Sequence, residues 1–145
     1  MILLKQITTM NKFIKFWLPV ILWAALIFFF SSEALPPASR IYWRDFVVKK
    51  SAHIVEYAVF ATLIFRAFIN SGLQRKKAAI YTIVLSMLYG VTDEFHQSFT
   101  PGREPRIRDW IFDTIGAGFA SYYLWRLLPK APQKLKNWAE KLQLG

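Results

Sequence analysis

Asp93, Glu94, His96 and Gln97 fall within five positions, at the end of an apolar run that begins at Ala78. Carboxylates and imidazoles serve as general acids and bases, as metal ligands, and as partners for cationic or hydroxylated ligands. In hydrocarbon a charge costs roughly 2.5–3.5 kcal/mol by insertion scales unless it finds a partner, so such a cluster marks a functional site by default. The spacing recurs. His53, Glu56 and Tyr57 are related by i, i+3 and i+4, as are Asp93, His96 and Gln97, which puts each set on one helix face. Asp109, Asp113 and Gly116 form a third stripe, and Ala120 continues it with a small residue four positions on. Small residues at that spacing let two helix backbones approach closely, so the stripe should face the interior of a bundle.

The candidates for acid–base chemistry are His53, Glu56, Asp93, Glu94 and His96. Those for ligand binding are Lys50, Tyr57, Gln97, Arg103, Asp109 and Asp113. His-x-x-Glu at 53–56 and Asp-x-x-His at 93–96 resemble halves of a carboxylate and histidine metal site on facing helices. Glu56, Asp93, Glu94, Asp109 and Asp113 are, however, balanced in number by Lys49, Lys50, Arg103, Arg106 and Arg108. Charge neutrality therefore requires no metal; none is assigned, and no cofactor is identified. The plainer reading is that these side chains fasten helices, with Asp93 or Glu94 paired to Arg103 across the turn Thr100-Pro101-Gly102. Fastening alone rarely uses two histidines, a glutamine, a tyrosine and five acids at one depth.

The elements that carry these residues read as membrane spans. A helix crossing a hydrocarbon core of about 30 Å needs roughly 20 mostly apolar residues. Runs of that length occupy residues 13–32, 51–70, 78–99 and 107–128, with Pro19 placed near the start of the first. The fold expected is all-α: a four-helix transmembrane domain over residues 13–128, followed by a tail over residues 129–145. A composition of 54% hydrophobic and 17% aromatic residues agrees, and the mean hydropathy of only +0.26 reflects charges gathered between apolar blocks. A secretory signal at the first span is disfavoured, because its apolar stretch is long and Glu33 and Pro36 make a poor cleavage region. With no cysteine, thiolate catalysis, disulfides and Cys-based metal sites are excluded.

Orientation follows from the basic residues. Twelve Lys and Arg lie in the N-terminal segment, the connection between spans two and three, and the tail, against seven on the opposite side. The excess places both termini in the cytoplasm, in a multi-pass inner membrane protein. Counting acids as well, the inner side is +11 and the outer side −1, so eight of nine acids belong to the outer half. In the tail, Leu135, Trp138, Ala139 and Leu142 follow i, i+3, i+4, i+7, as in a short amphipathic helix lying on the inner leaflet with Lys134, Lys136 and Lys141 toward headgroups. The net charge of +10 flanks apolar spans instead of interleaving with aromatics on one soluble face, which points to anionic lipid and away from nucleic acid.

Taken together, these residues resemble the VanZ-like family of small bacterial membrane proteins, named for an accessory protein of teicoplanin resistance. The resemblance rests on Ser31 and Ser32, then Lys50, His53, Glu56 and Tyr57, then Asp93, Glu94, His96 and Gln97. It continues through Phe99, Pro101, Gly102, Arg103, Asp109, Asp113 and Gly116. Two departures stand out: the loop LPPASRIYWRDFVV fits no familiar pattern, and Arg106 stands where a small or hydroxylated residue is more usual. The resemblance implies a multispan envelope protein tied to antibiotic or cell-wall stress, and brings no reaction with it.

The resulting expectation is a protein that engages a headgroup at the outer leaflet, either a phospholipid or a polyprenyl-phosphate or other lipid-linked wall precursor. Arg103, with Lys50 or Arg106, would bind phosphate, while His53, His96, Asp93 and Glu94 orient them or move protons. One alternative is an enzyme acting on such a headgroup with Glu94 or His96 as general base; another is a proton-linked transporter or an assembly scaffold.

Overall fold

The computed structural model describes residues 2–32, 42–101 and 106–145. The described residues form an all-helical bundle: α1 (Ile2–Ser32), α2 (Tyr42–Asn70), α3 (Arg75–Gln97), α4 (Ile107–Tyr122) and a short α5 (Gln133–Lys141). Helices α1 and α2 begin well before the apolar runs at residues 13 and 51, because counting apolar residues overlooks polar first turns that still hydrogen-bond as helix. One consequence concerns Pro19. It lies in the interior of α1, not near its start, and there its ring removes a donor and crowds the Lys15 carbonyl.

Of the four expected spans, two meet the requirements of length and apolarity for crossing a membrane, over residues 11–32 and 46–70. The other two fall short for identifiable reasons. Helix α3 carries Arg75, Lys76 and Lys77 at one end and Asp93 and Glu94 at the other. Helix α4 has 16 residues before its winding loosens into a π-helical turn (Tyr123–Leu127) and tightens into a 3-10 turn (Leu128–Lys130). Pro129 forces that ending, since it has no N–H to continue the α-helical ladder.

Packing centres on α2 against α4. A Cβ on Gly116 would fall onto the Ile54 carbonyl oxygen and lie 3.0 Å from the Ile54 Cα, so only glycine permits this approach. Ala58, Ala61, Ala117 and Ala120 extend the seam with small side chains. Gly90 serves α3 in a similar way, because a Cβ there would stand 2.9 Å from Trp110 Cδ1. Phe16, Val20 and Ile27 of α1 pack on Tyr57, Phe60 and Ile64 of α2. At the opposite end Phe65, Ala78, Ala79, Leu124 and Leu128 enclose Ala139 and Leu144, so the tail docks onto the bundle. Within the tail stripe Ala139 is buried, whereas Leu135, Trp138 and Leu142 remain exposed.

Candidate functional site

The polar residues gather at one end of the bundle, where α1 and α3 finish and α2 and α4 begin. Helices α2 and α4 run parallel there, and their offset matches cations to acids in order. Lys50 is paired with Asp109, and one turn on His53 Nδ1 lies 2.9 Å from Asp113 Oδ1. The two acids would repel at i, i+4, and each is instead given its own cationic or N–H partner. Because a carboxylate accepts, His53 donates from Nδ1 and its Nε2 is left to face elsewhere. Phe46 and Phe112 flank the Lys50 ammonium with ring centroids at 5.8 and 5.9 Å, which lets a lysine be largely buried. Arg108 lies over the Phe46 ring at 4.9 Å and has no ion pair among the described residues.

The end of α3 supplies a second group. Gln97 donates to Asp93 Oδ2 at 2.9 Å, the i, i+4 contact that their spacing requires, and both side chains are buried. Glu94 Oε2 accepts the backbone N–H of Arg106 at 2.7 Å, so this carboxylate ties the start of α4 to the end of α3. Its other oxygen, Oε1, is buried without a hydrogen-bond partner among the described residues, and the same holds for Asp113 Oδ2 and the Tyr57 hydroxyl. Tyr57 is wholly buried, with its ring edge 3.6 Å from where a Gly90 Cβ would be.

His96 belongs to a third group, against α1. Its ring stacks on Phe28 with centroids 4.0 Å apart, and its Nε2 lies 2.9 Å from Ser32 Oγ. The single Ser32 hydroxyl proton goes to the Phe28 carbonyl at 2.6 Å, so His96 must donate from Nε2. The two histidines thus have separate partners. Glu56 is half-buried, and its backbone carbonyl accepts Trp23 Nε1 at 3.0 Å. Among the described residues no three His, Asp or Glu side chains converge where a metal ion could sit. Arg103, and with it the expected pairing to Asp93 or Glu94, lies outside the described residues.

The structure therefore brings Lys50, His53, Asp109 and Asp113 into one row and Asp93, Glu94 and Gln97 into a neighbouring one, and it turns His96 toward α1. Sequence reasoning missed the aromatic lining. Phe28 and Phe112 read as ordinary span residues and Phe46 as part of the first outer loop, and only the register between helices sets them against His96 and Lys50. Ser32 stood among the residues of the resemblance, but nothing in the sequence marked it as the partner of His96.

A family model described as VanZ/LLP1 matches residues 16–128 of the chain. No curated protein and no solved structure is detectably similar to it.

Proposed function

The chain belongs to the VanZ/LLP1 family, and on that premise we propose that it binds a lipid headgroup at the outer leaflet of the bacterial inner membrane. The family makes it a membrane protein linked to glycopeptide resistance; the ligand and topology are our reading. All four long helices cross the bilayer in this reading. What supports it for α3 and α4 is their outward surface, where Leu88, Phe95, Ile115 and Phe119 are exposed. Contiguous exposed apolar surface of this kind suits lipid and not water. The excess of basic residues at the tail end then puts both termini in the cytoplasm.

The observation that carries the headgroup reading is the pair of buried carboxylates at the polar end, Glu94 and Asp113. Each keeps one oxygen without a hydrogen-bond partner among the described residues. A buried acceptor left unsatisfied costs about 1–3 kcal/mol, so a group that supplies a donor is bound with that much advantage. Hydroxyl or ammonium groups of a headgroup are such donors. Lys50 is already held by Asp109, so Arg103 and Arg106 are the cations we assign to the phosphate of the same headgroup. The ligand class is a phospholipid or a polyprenyl-phosphate-linked wall precursor.

Mass spectrometry of lipid retained by the purified protein tests this. One phosphate-bearing lipid should be enriched over the surrounding membrane and lost in Arg103→Gln. Equal lipid profiles for the two proteins would overturn it. A second reading, an enzyme acting on that headgroup, is favoured by the His53–Asp113 pair, since a carboxylate on Nδ1 orients the imidazole for proton transfer at Nε2. Conversion of labelled lipid by purified protein, abolished in His53→Gln, would establish it; retention without conversion excludes it.

A further inference from the structure

Hydroxyl side chains within helices usually donate to the carbonyl one turn back. Thr62 does so to Ala58, Ser71 to Ala67 and Thr114 to Trp110, each at 2.8 Å. Thr82, Ser86 and Ser121 do not. They are 0%, 1% and 0% exposed, and their oxygens have no hydrogen-bond partner among the described residues. The Tyr57 hydroxyl and Asp113 Oδ2 share that condition.

These groups are not scattered. Helices α3 and α4 are antiparallel, fixed by Trp110 Nε1 on the Met87 carbonyl at 3.0 Å and Arg75 Nη2 on the Leu124 carbonyl at 2.8 Å. That register sets Ser86 at about the depth of Asp113, Thr82 one turn further toward the tail end, and Ser121 roughly one and a half turns beyond Thr82. Tyr57 comes from α2 and, like all helical side chains, leans toward its own N-terminus, here the polar end, which brings its ring beside Gly90. Residues at i and i+4 stand about 5–6 Å apart. Two hydrogen bonds of about 2.8 Å through one shared oxygen span the same distance.

We propose that Thr82, Ser86, Ser121 and the Tyr57 hydroxyl hold a chain of ordered water molecules along the bundle axis, joined to the Asp113 carboxylate. Buried water occupies polar sites that offer it two to four partners, and Thr82, Ser86, Ser121, Tyr57 and Asp113 supply five oxygens that lack one among the described residues. The chain ends toward the tail at Phe65, Ala78, Ala79 and Leu124, a buried apolar cluster with nothing to bind water. It extends the polar site well past the carboxylates and gives Asp113 a hydrogen-bonded connection into the middle of the bundle. This inference does not depend on a headgroup ligand.

Radiolytic hydroxyl-radical footprinting of the full-length protein in nanodiscs, read by mass spectrometry, tests it, because radicals form from water wherever water sits. Tyr57 and Phe65 are aromatic rings with no exposure, one beside the ladder and one in the apolar cluster. Tyr57 should be oxidised at least about tenfold faster than Phe65 if ordered water contacts it. Equal rates would show a dry interior and overturn the proposal without any variant. Replacing the three hydroxyls together (Thr82→Val, Ser86→Ala, Ser121→Ala) in protein that still folds should lower Tyr57 oxidation by about threefold or more. An unchanged rate would mean that the water is held elsewhere, and that too overturns the assignment.

Discussion

At the tail end of the bundle, Arg66 and Asn70 meet neutral acceptors, two of them backbone carbonyls. Arg66 donates from Nε to the Leu142 carbonyl and from Nη2 to Gln143 Oε1, and Asn70 donates to the Gln143 carbonyl, all at 2.8 Å. At the polar end the contacts run between side chains, Lys50 to Asp109 and His53 to Asp113, and Glu94 Oε1 and Asp113 Oδ2 have no partner among the described residues. A carbonyl offers a single oxygen and carries no charge to be neutralised. A carboxylate offers two oxygens, and one can serve structure while the other serves a ligand. The tail end is built as a latch and the polar end as a site with spare capacity.

The sharpest way to break that comparison is at Lys50, since even within the site some contacts must be structural. Lys50→Met leaves Asp109 charged and largely buried, which should cost about 3–5 kcal/mol of stability. Adding Asp109→Leu should recover most of the loss, because removing both partners leaves no uncompensated charge. Unfolding in mixed detergent micelles measures both. A single variant as stable as wild type would mean the pair is solvated and the row is open to ligand.

Next in size is the α2–α4 contact that sets the offset between Lys50 and Asp109. Gly116→Ala places a Cβ on a backbone carbonyl that cannot swing aside, for about 1–3 kcal/mol of overpacking. The same assay should show no loss, and a gain of up to about 1 kcal/mol from helix propensity, for Gly118→Ala, where nothing lies within 4 Å of the added carbon. Equal effects at both positions would mean the helices separate freely.

How much of this was readable beforehand differs by level. Helical content, and the inward facing of Tyr57, Asp93, Gln97, Asp113 and Gly116, came from periodicity, which needs only the chain itself; His96 left its stripe for α1 and Glu94 joined the buried group. Gly116 was legible for the same reason, because small residues four apart signal close approach. The partners were not. Five cations were counted against five acids, yet a histidine and a lysine from α2 hold the acids of α4, and Arg108 instead covers a ring. Pairing depends on the register between helices, and no single-helix pattern encodes register. The unpartnered hydroxyls were invisible too, since Thr82, Ser86 and Ser121 look like any polar residue tolerated in an apolar run.

Truncation after residue 141 tests the latch. It removes the acceptors of Arg66 and Asn70 and the buried Leu144 side chain, and a loss of about 1–2 kcal/mol is expected because these contacts are partly exposed to water. Lipid retention should be unaffected. If truncation abolishes retention with the bundle still folded, the two ends are coupled and the division between latch and site fails.

The smallest effect on stability is expected where the effect on binding is largest. Glu94→Gln keeps the shape of the side chain and an acceptor for the Arg106 N–H, so the α3–α4 tie survives. What it removes is a charge from a mostly buried position, where the ionised form is held against a desolvation cost. Stability should therefore stay within about 1 kcal/mol of wild type, and any change should be a gain. Binding should respond in the opposite sense. An ammonium or hydroxyl donor in the headgroup meets a neutral amide in place of a carboxylate, and charge-assisted hydrogen bonds are roughly twice as strong as neutral ones. The expected outcome is a protein at least as stable as wild type that retains markedly less lipid. A variant that loses stability by several kcal/mol and keeps its lipid would show that Glu94 fastens helices, and the spare oxygen would then be no part of a site.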